Sequence, residues 1–357
     1  LSENMLNGIL TYSIGKLKNM QRLILENNKL TGMLPATIGH LTSVTDLFLA
    51  NNEFSGKIPP SFGNLINLQT LDLSRNRISG GLPSQLGKLE SLQTLDLSFN
   101  PLGLAKVPKW FSKLRVFKLK LANTGIEGQL PKWLSYSSVA TLDLSSNALT
   151  GELPWSIGNM TRLSFLNLSN NEFHSSIPVA FKNLSSLMDL DLHSNKLTGS
   201  LGVVFEKEVQ FSLGHFNSID LSNNKFCDPI DENIGEKASM SSIKLLALSH
   251  NPLGGSIPNS IGKLRELEIL DLEDSDLSGN IPEELGDVET LSKINLSKNK
   301  LSGNILEKVI NLKRLEEFDV SRNQLRGRIP PHKAMLPISA FVGNRGLCGP
   351  PLPCKLC

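Results

Sequence analysis

Carboxylates at regular spacing are the first residues of this 357-residue chain whose pattern could do chemistry. Asp72, Asp96, Asp143, Asp191, Asp220, Asp271 and Asp319 all stand at the same place in a recurring Leu-x-Leu frame. Paired acids are common machinery for general acid–base catalysis, which needs two environments that push their pKa values apart. Acids that recur with a frame instead face water in equivalent surroundings, with no sign of a closed pocket. The six histidines are scattered, no Cys/His cluster has metal spacing, and neither a glycine-rich phosphate loop nor a kinase segment occurs. A non-enzymatic chain with no cofactor and no metal site is therefore expected. A net charge of +2 gives no general attraction to nucleic acid or to an anionic membrane. No run of apolar residues is long enough to span a bilayer.

The elements that position these residues follow from the repeat itself. Taking Asn28 as reference, the frame recurs with asparagine at 4, 52, 76, 100, 147, 171, 195, 224, 251, 299 and 323, and with Thr124 and Ser275 in the same slot. That makes fourteen repeats, most of them 24 residues apart. The Leu-x-Leu pair, such as Leu71 and Leu73, alternates with polar residues at period two and reads as a short strand with one buried face. Stacked turns give a parallel sheet with strands about 4.8 Å apart. The asparagine sits where the chain turns inside the stack, and its amide can satisfy backbone groups that would otherwise be buried unpaired. Thr124 and Ser275 keep a hydroxyl and can do part of that work. Glycines such as Gly32 and Gly56 then release the backbone. An Ile-Pro or Leu-Pro pair opens the outer segment, and Ser260-Ile261-Gly262-Lys263-Leu264 reads as a helical turn on the convex side.

The composite frame Leu-x-x-Leu-x-Leu-x-x-Asn-x-Leu-x-Gly-x-Ile-Pro resembles the plant-specific class of leucine-rich repeat, over about residues 1–340. That class occurs in receptor-like kinases, receptor-like proteins and polygalacturonase-inhibiting proteins. The resemblance implies an α/β solenoid, a curved right-handed superhelix with a parallel concave β-sheet and convex 3-10 or helical turns. It implies a C-terminal disulfide cap over 341–357, where Gly346-Leu347-Cys348-Gly349-Pro350 breaks the period. Within the cap Cys348 is expected to pair with Cys354, and Cys348 with Cys357 is the alternative that spacing leaves open. Such a cap belongs to an oxidising compartment, so a secreted glycoprotein of the extracellular space or cell wall is expected. The family also carries a cysteine-paired N-terminal cap, which is expected to precede Leu1. Cys227 lies about 20 Å along the stack from the cap cysteines, beyond disulfide reach, and is expected to be a buried free thiol.

Four Asn-x-Ser/Thr sequons, at Asn159, Asn167, Asn183 and Asn295, are candidate glycan sites. Asn159 and Asn183 lie twelve residues past a ladder asparagine and are expected on the outer side. Asn167 and Asn295 fall within strands. The exposed strand positions lie seven, six, four, two and one before the ladder residue. The fourth reads as a mainly acidic line that Lys120 interrupts. Side chains that depart from Ser, Thr or Asp filler are the informative ones: Phe48, Phe99, Phe117, Phe165, Met188, His193 and His250. Residues 106–120 hold six basic side chains, Lys118 and Lys120 among them, and no acid. Trp110, Trp133 and Trp155 follow the proline of three consecutive repeats and are expected to lie near one another on the outer flank. The ligand-binding candidates are thus Phe99, Phe117, Lys118, Lys120, Phe165, Met188, His193 and the three tryptophans.

Two recognition roles follow from the resemblance. The leading one is a secreted binder similar to polygalacturonase inhibitors, acting in plant defence on a secreted hydrolase or a pectin-like wall polymer. The other is the ectodomain of a receptor-like protein or kinase that binds an extracellular peptide or protein. A structural or ice-surface protein would need a flat, regular array of threonine-like side chains, and the strand positions are too varied for that.

Overall fold

The computed structural model describes residues 1–209 and 214–352 of the chain. It divides into two units, Leu1–Glu172 and Phe173–Cys357, and each is a solenoid of strand-and-turn repeats. In the first, three-residue strands run parallel in the order Arg22–Ile24, Asp46–Phe48, Thr70–Asp72, Thr94–Asp96, Lys118–Lys120, Thr141–Asp143 and Phe165–Asn167. In the second the order is Asp189–Asp191, Ser218–Asp220, Leu245–Ala247, Ile269–Asp271, Lys293–Asn295 and Glu317–Asp319. Equivalent residues pair without slippage, as in Thr70 with Thr94 and Asp72 with Asp96. The same frame position therefore forms a row across each unit's strand face.

One repeat shows how the layer closes. Leu47, Leu49, Phe54, Phe62, Leu65 and Leu68 are fully buried and Ile58 nearly so, and each such side chain contributes about 1.5–3 kcal/mol of transfer free energy. Proline sets up the outer turn: Pro35 precedes the 3-10 turn Ala36–His40 and Pro59 precedes Pro60–Asn64. Its fixed φ suits the residue that leads into a turn, and its carbonyl accepts the turn's first hydrogen bond, as from the Ile38 amide at 3.0 Å. Successive turns approach so closely that a Cβ on Gly39 would lie 2.4 Å from the Ser61 carbonyl oxygen. Glycine is required there by space rather than by φ.

The ladder asparagines bond as their position suggests. The Asn76 side-chain oxygen accepts the Phe54 amide at 3.0 Å, while its Nδ2 donates to the Leu49 and Leu73 carbonyls at 2.9 and 3.0 Å. The Thr124 side chain donates through its hydroxyl to the Leu121 carbonyl at 2.8 Å, while its amide donates to Asn147 Oδ1 at 3.0 Å. The Leu102 amide, which an asparagine there would accept, turns instead to the Asn100 carbonyl at 2.7 Å. Ser275 has the same consequence, with the Leu253 amide on Asn251 at 2.7 Å. Both sites follow an Asn-Pro-Leu-Gly sequence, whose proline has no ladder donor. The outer strands break at both places. In the first unit they run through Arg77–Ile78 and resume at Glu127–Gly128, with one isolated bridge from Ala105 to Ile126. In the second they stop at Lys225–Phe226 and resume at Ser278–Asn280.

Two details depart from the sequence reading. Asn344, 21 residues after Asn323, continues the ladder, accepting the Leu325 amide at 3.0 Å and donating to Val320 and Phe341. Gly346–Cys348 then pairs in parallel with Arg326–Arg328. Cys227 is a free thiol, but it is exposed and not buried. It directly follows Phe226, which is fully buried in the strand Lys225–Phe226, and strand alternation turns the next side chain outward. Cys348 is buried, while Cys354 and Cys357, and with them the expected pairing, lie outside the described residues.

Candidate functional site

The strand face of the first unit brings together several of the residues singled out above. Lys118 and Lys120 point from one strand, with Lys118 between Thr94 and Thr141 and Lys120 between Asp96 and Asp143. Phe165 follows Thr141 in the same row as Lys118, two strands away. Phe117 stands just before the strand and is 45% exposed, although its amide and carbonyl are bonded to Gln93 and Ala140. Among the described residues none of the six basic side chains of 106–120 forms an ion pair. Lys120 lies beside Asp96, whose carboxyl burial pushes above its ordinary value while Ser98 and Lys120 pull it back.

Phe99 stands at the opposite end of the strands. Frame positions one and seven before the ladder residue are about 20 Å apart along an extended chain, so Phe99 and Phe117 mark two edges of the face. Phe99 has φ +57°, in the left-handed region that costs a bulky side chain of order 1–3 kcal/mol. The equivalent slot holds Asn27, Asn51, Asn123 and Ser146, residue types better suited to that conformation, but also Arg75, His250, Lys298 and Arg322. The left-handed turn therefore belongs to the frame, and Phe99 is its one exposed aromatic carbocycle. The Arg75 guanidinium lies over the Phe99 ring at 4.4 Å.

The tryptophans separate. Trp110 stacks on Phe111 with centroids 4.4 Å apart, and Phe111 stacks on Trp133 at 6.4 Å, with Phe111 itself in the core. Trp110 and Trp133 thus wedge between neighbouring turns, and the Trp133 ring N–H is buried without a hydrogen-bond partner. Trp155 is 67% exposed. Elsewhere in the unit Tyr136, Ser137, Asn159, Thr161 and Arg162 line a shallow polar concavity of about 300 Å³.

In the second unit Met188 is exposed at the start of its strand. His193 is half-buried, and its Nδ1 lies 2.7 Å from Asp191 Oδ1 and 3.8 Å from Asp220 Oδ2. The hydrogen bond that His193 donates to the Asp191 carboxylate holds the imidazole pKa above its ordinary value, against the effect of burial. Sequence spacing alone concealed this cluster, because Asp220 comes from the following repeat. The sequons divide as their frame positions suggest. Asn159 and Asn183 are exposed, whereas Asn167 and Asn295 each accept hydrogen bonds from the serine two residues on. Asn295 also donates to Glu273.

Comparison with known proteins places this geometry. A leucine-rich-repeat family model matches residues 19–41, 43–65, 91–114, 138–160, 162–184, 242–264 and 266–288. A second leucine-rich-repeat model matches 58–102, and together the two span more than half of the chain. Comparison with curated protein sequences returns no match. Among solved structures, the plant peptide hormone receptor RGFR1, in complex with RGF2, is similar with 33% identity and a TM-score of 0.78. That match covers 97% of this chain and 58% of the receptor's, so the chain spans little more than half of its length. The Arabidopsis receptor kinase HAESA, in complex with the peptide hormone IDA and the co-receptor SERK1, is 25% identical with a TM-score of 0.55, over 98% and 77% of the two chains. A Leptospira interrogans LRR protein, LIC12759, is 25% identical with a TM-score of 0.72, over 93% and 89%. By its repeats, its parallel strands and 3-10 turns, and these likenesses, the chain belongs to the leucine-rich-repeat family, in its plant extracellular type.

Proposed function

We propose that this chain is an extracellular recognition module that binds a peptide or protein on the strand face of its first unit, as part of a receptor-like protein. One observation carries the reading. Lys118 and Lys120 on a strand, with Phe117 just before it and Phe99 in a left-handed turn past the preceding strand, are exposed or half-buried on a face where the framework does not require aromatic or cationic side chains. Aromatic and cationic groups on an exposed face are the usual anchors of an interface. The parallel strands present such side chains in straight rows, which suits an extended peptide. The similarity to plant peptide hormone receptors supports the same class of ligand.

The second reading, a wall-polymer or hydrolase binder similar to polygalacturonase inhibitors, draws on the unpaired basic side chains of 106–120 and on exposed Trp155. The two separate in one experiment. The immobilised chain is exposed in parallel to a secreted-peptide fraction from plant tissue and to oligogalacturonides, and hydrogen exchange is measured on each complex. A peptide should be retained, with protection on residues 94–99 and 117–120. Retention of oligogalacturonide alone, abolished by moderate salt, would overturn the peptide reading in favour of the polymer.

A further inference from the structure

Among the described residues, one group of three His and Asp side chains gathers closely enough to share an ion, and it lies on the strand face of the second unit. After Asp72, Asp96, Asp143, Asp220 and Asp319 the residue two positions on is a serine, and after Asp271 it is Glu273. The Ser74 amide and hydroxyl both donate to Asp72 Oδ1, at 2.9 and 2.7 Å, and Ser145 does the same to Asp143. His193 replaces that serine. Its amide still donates to Asp191 Oδ1 at 3.1 Å, which fixes the carboxylate, but an imidazole now stands between two acids. On the next strand Ser222 occupies Asp220 Oδ1 through its amide and hydroxyl, which leaves Oδ2 turned toward His193.

We propose that Asp191, His193 and Asp220 form a binding site for a single Zn2+ ion. The three offer one ligand atom each, and these atoms all lie within 4.8 Å of one another. Ligands about 2.0–2.1 Å from a tetrahedral zinc stand about 3.3 Å apart. The observed separations of 2.7 and 3.8 Å from Nδ1 bracket that value, so small side-chain rotations complete the geometry. The backbone need not move, because strand pairing of Asp191 with Asp220 fixes both carboxylates on adjacent strands. One imidazole and two carboxylates suit a borderline ion, whereas Ca2+ would require 6–8 oxygen ligands. Three protein ligands leave a fourth position open, and the side chains are 28–32% exposed, so that position faces solvent. A carboxylate or imidazole of a bound partner would fill it. The site does not depend on the peptide reading of the first unit.

The test is titration of metal-free protein with Zn2+ alone by isothermal calorimetry. The wild type should take up one Zn2+ per chain. His193→Ser restores the residue of the neighbouring repeats and should keep the fold while weakening binding about tenfold or more, as should Asp220→Asn. His250→Ser, two repeats on, should bind as the wild type does. Absence of uptake by the wild type at micromolar free Zn2+ overturns the site. Equal affinity in His193→Ser and Asp220→Asn overturns it as well, and Asp220→Asn decides alone should His193→Ser fail to fold.

Discussion

Phe99 exchanges backbone comfort for an exposed ring, and the exchange can be reversed. Asparagine fills the same slot at Asn27, Asn51, Asn123, Asn170 and Asn223, at a φ in the fifties. Phe99→Asn should therefore stabilise the first unit by about 1 kcal/mol, read as a raised unfolding midpoint in urea, because it relieves left-handed strain at the loss of one exposed cation–π contact. The same variant should bind ligand more weakly, a trade expected where strain is held for function. An unchanged or lower midpoint would remove the strain from the case for the site. Lys207 offers a second single-residue test. It is buried, donates from Nζ to the carbonyls of Leu187 and Gly214, and lies 4.2 Å from the Phe216 ring centre. Burial lowers its pKa to about 8 from the ordinary 10.5. Between those values the unfolded chain holds a proton that the folded chain has released, so this lysine makes stability rise with pH across that window. Lys207→Met should remove that rise. The midpoint difference, wild type minus variant, should increase steadily from pH 8 to 10.5, and a flat difference would contradict the burial argument.

At the scale of elements, the ladder explains why one slot tolerates hydroxyls at only two places. Asn76→Ala leaves the buried Phe54 amide without its partner and removes one of two amide donors from each of the Leu49 and Leu73 carbonyls, which keep Asn52 and Asn100, and should cost about 2–3 kcal/mol. Thr124→Ala loses one hydroxyl bond and should cost about 1 kcal/mol, because the Leu102 amide is already satisfied elsewhere. Urea unfolding of both variants checks the order, and equal costs would mean that the asparagine amides are not the main satisfiers of the turn. The outer turns make a separate prediction. Exposed Asn159 and Asn183 should carry glycans in plant-produced protein, and Asn295, bonded to Ser297 and Glu273, should not. Glycopeptide mass spectrometry reads this directly, and a bare Asn159 with an occupied Asn295 would contradict it. Strands, turns and ladder were legible in the sequence because each depends on contacts repeated at a fixed period. Asn344 was not, since its 21-residue step breaks that period. The exposure of Cys227 was missed because its slot, three after Asn224, follows buried Phe226 and so alternates outward.

For the whole molecule, the framework was readable and the site only partly so, for a physical reason. Leu71 or Asn76 contacts the repeat on either side, and its role is visible in any one copy. His193 gains its neighbours only when a 29-residue repeat closes to bring Asp220 alongside. Phe99 and Phe117 share a face in the sequence pattern, yet the fold sets them at its two edges and leaves Lys118 and Lys120 between. The tryptophan set divides likewise, with Trp110 and Trp133 half-buried and stacked about core Phe111 and Trp155 well exposed. The central claim is therefore that the strand face around Phe117, Lys118 and Lys120 holds the ligand. The most direct measurement is the affinity of the peptide retained from the plant secreted fraction, by calorimetry, for the wild type and for the combined Phe117→Ala, Lys118→Ala, Lys120→Ala variant. The variant should keep the wild-type circular dichroism and bind at least about tenfold more weakly, a loss of about 1.4 kcal/mol. A folded triple variant with unchanged affinity would contradict the account.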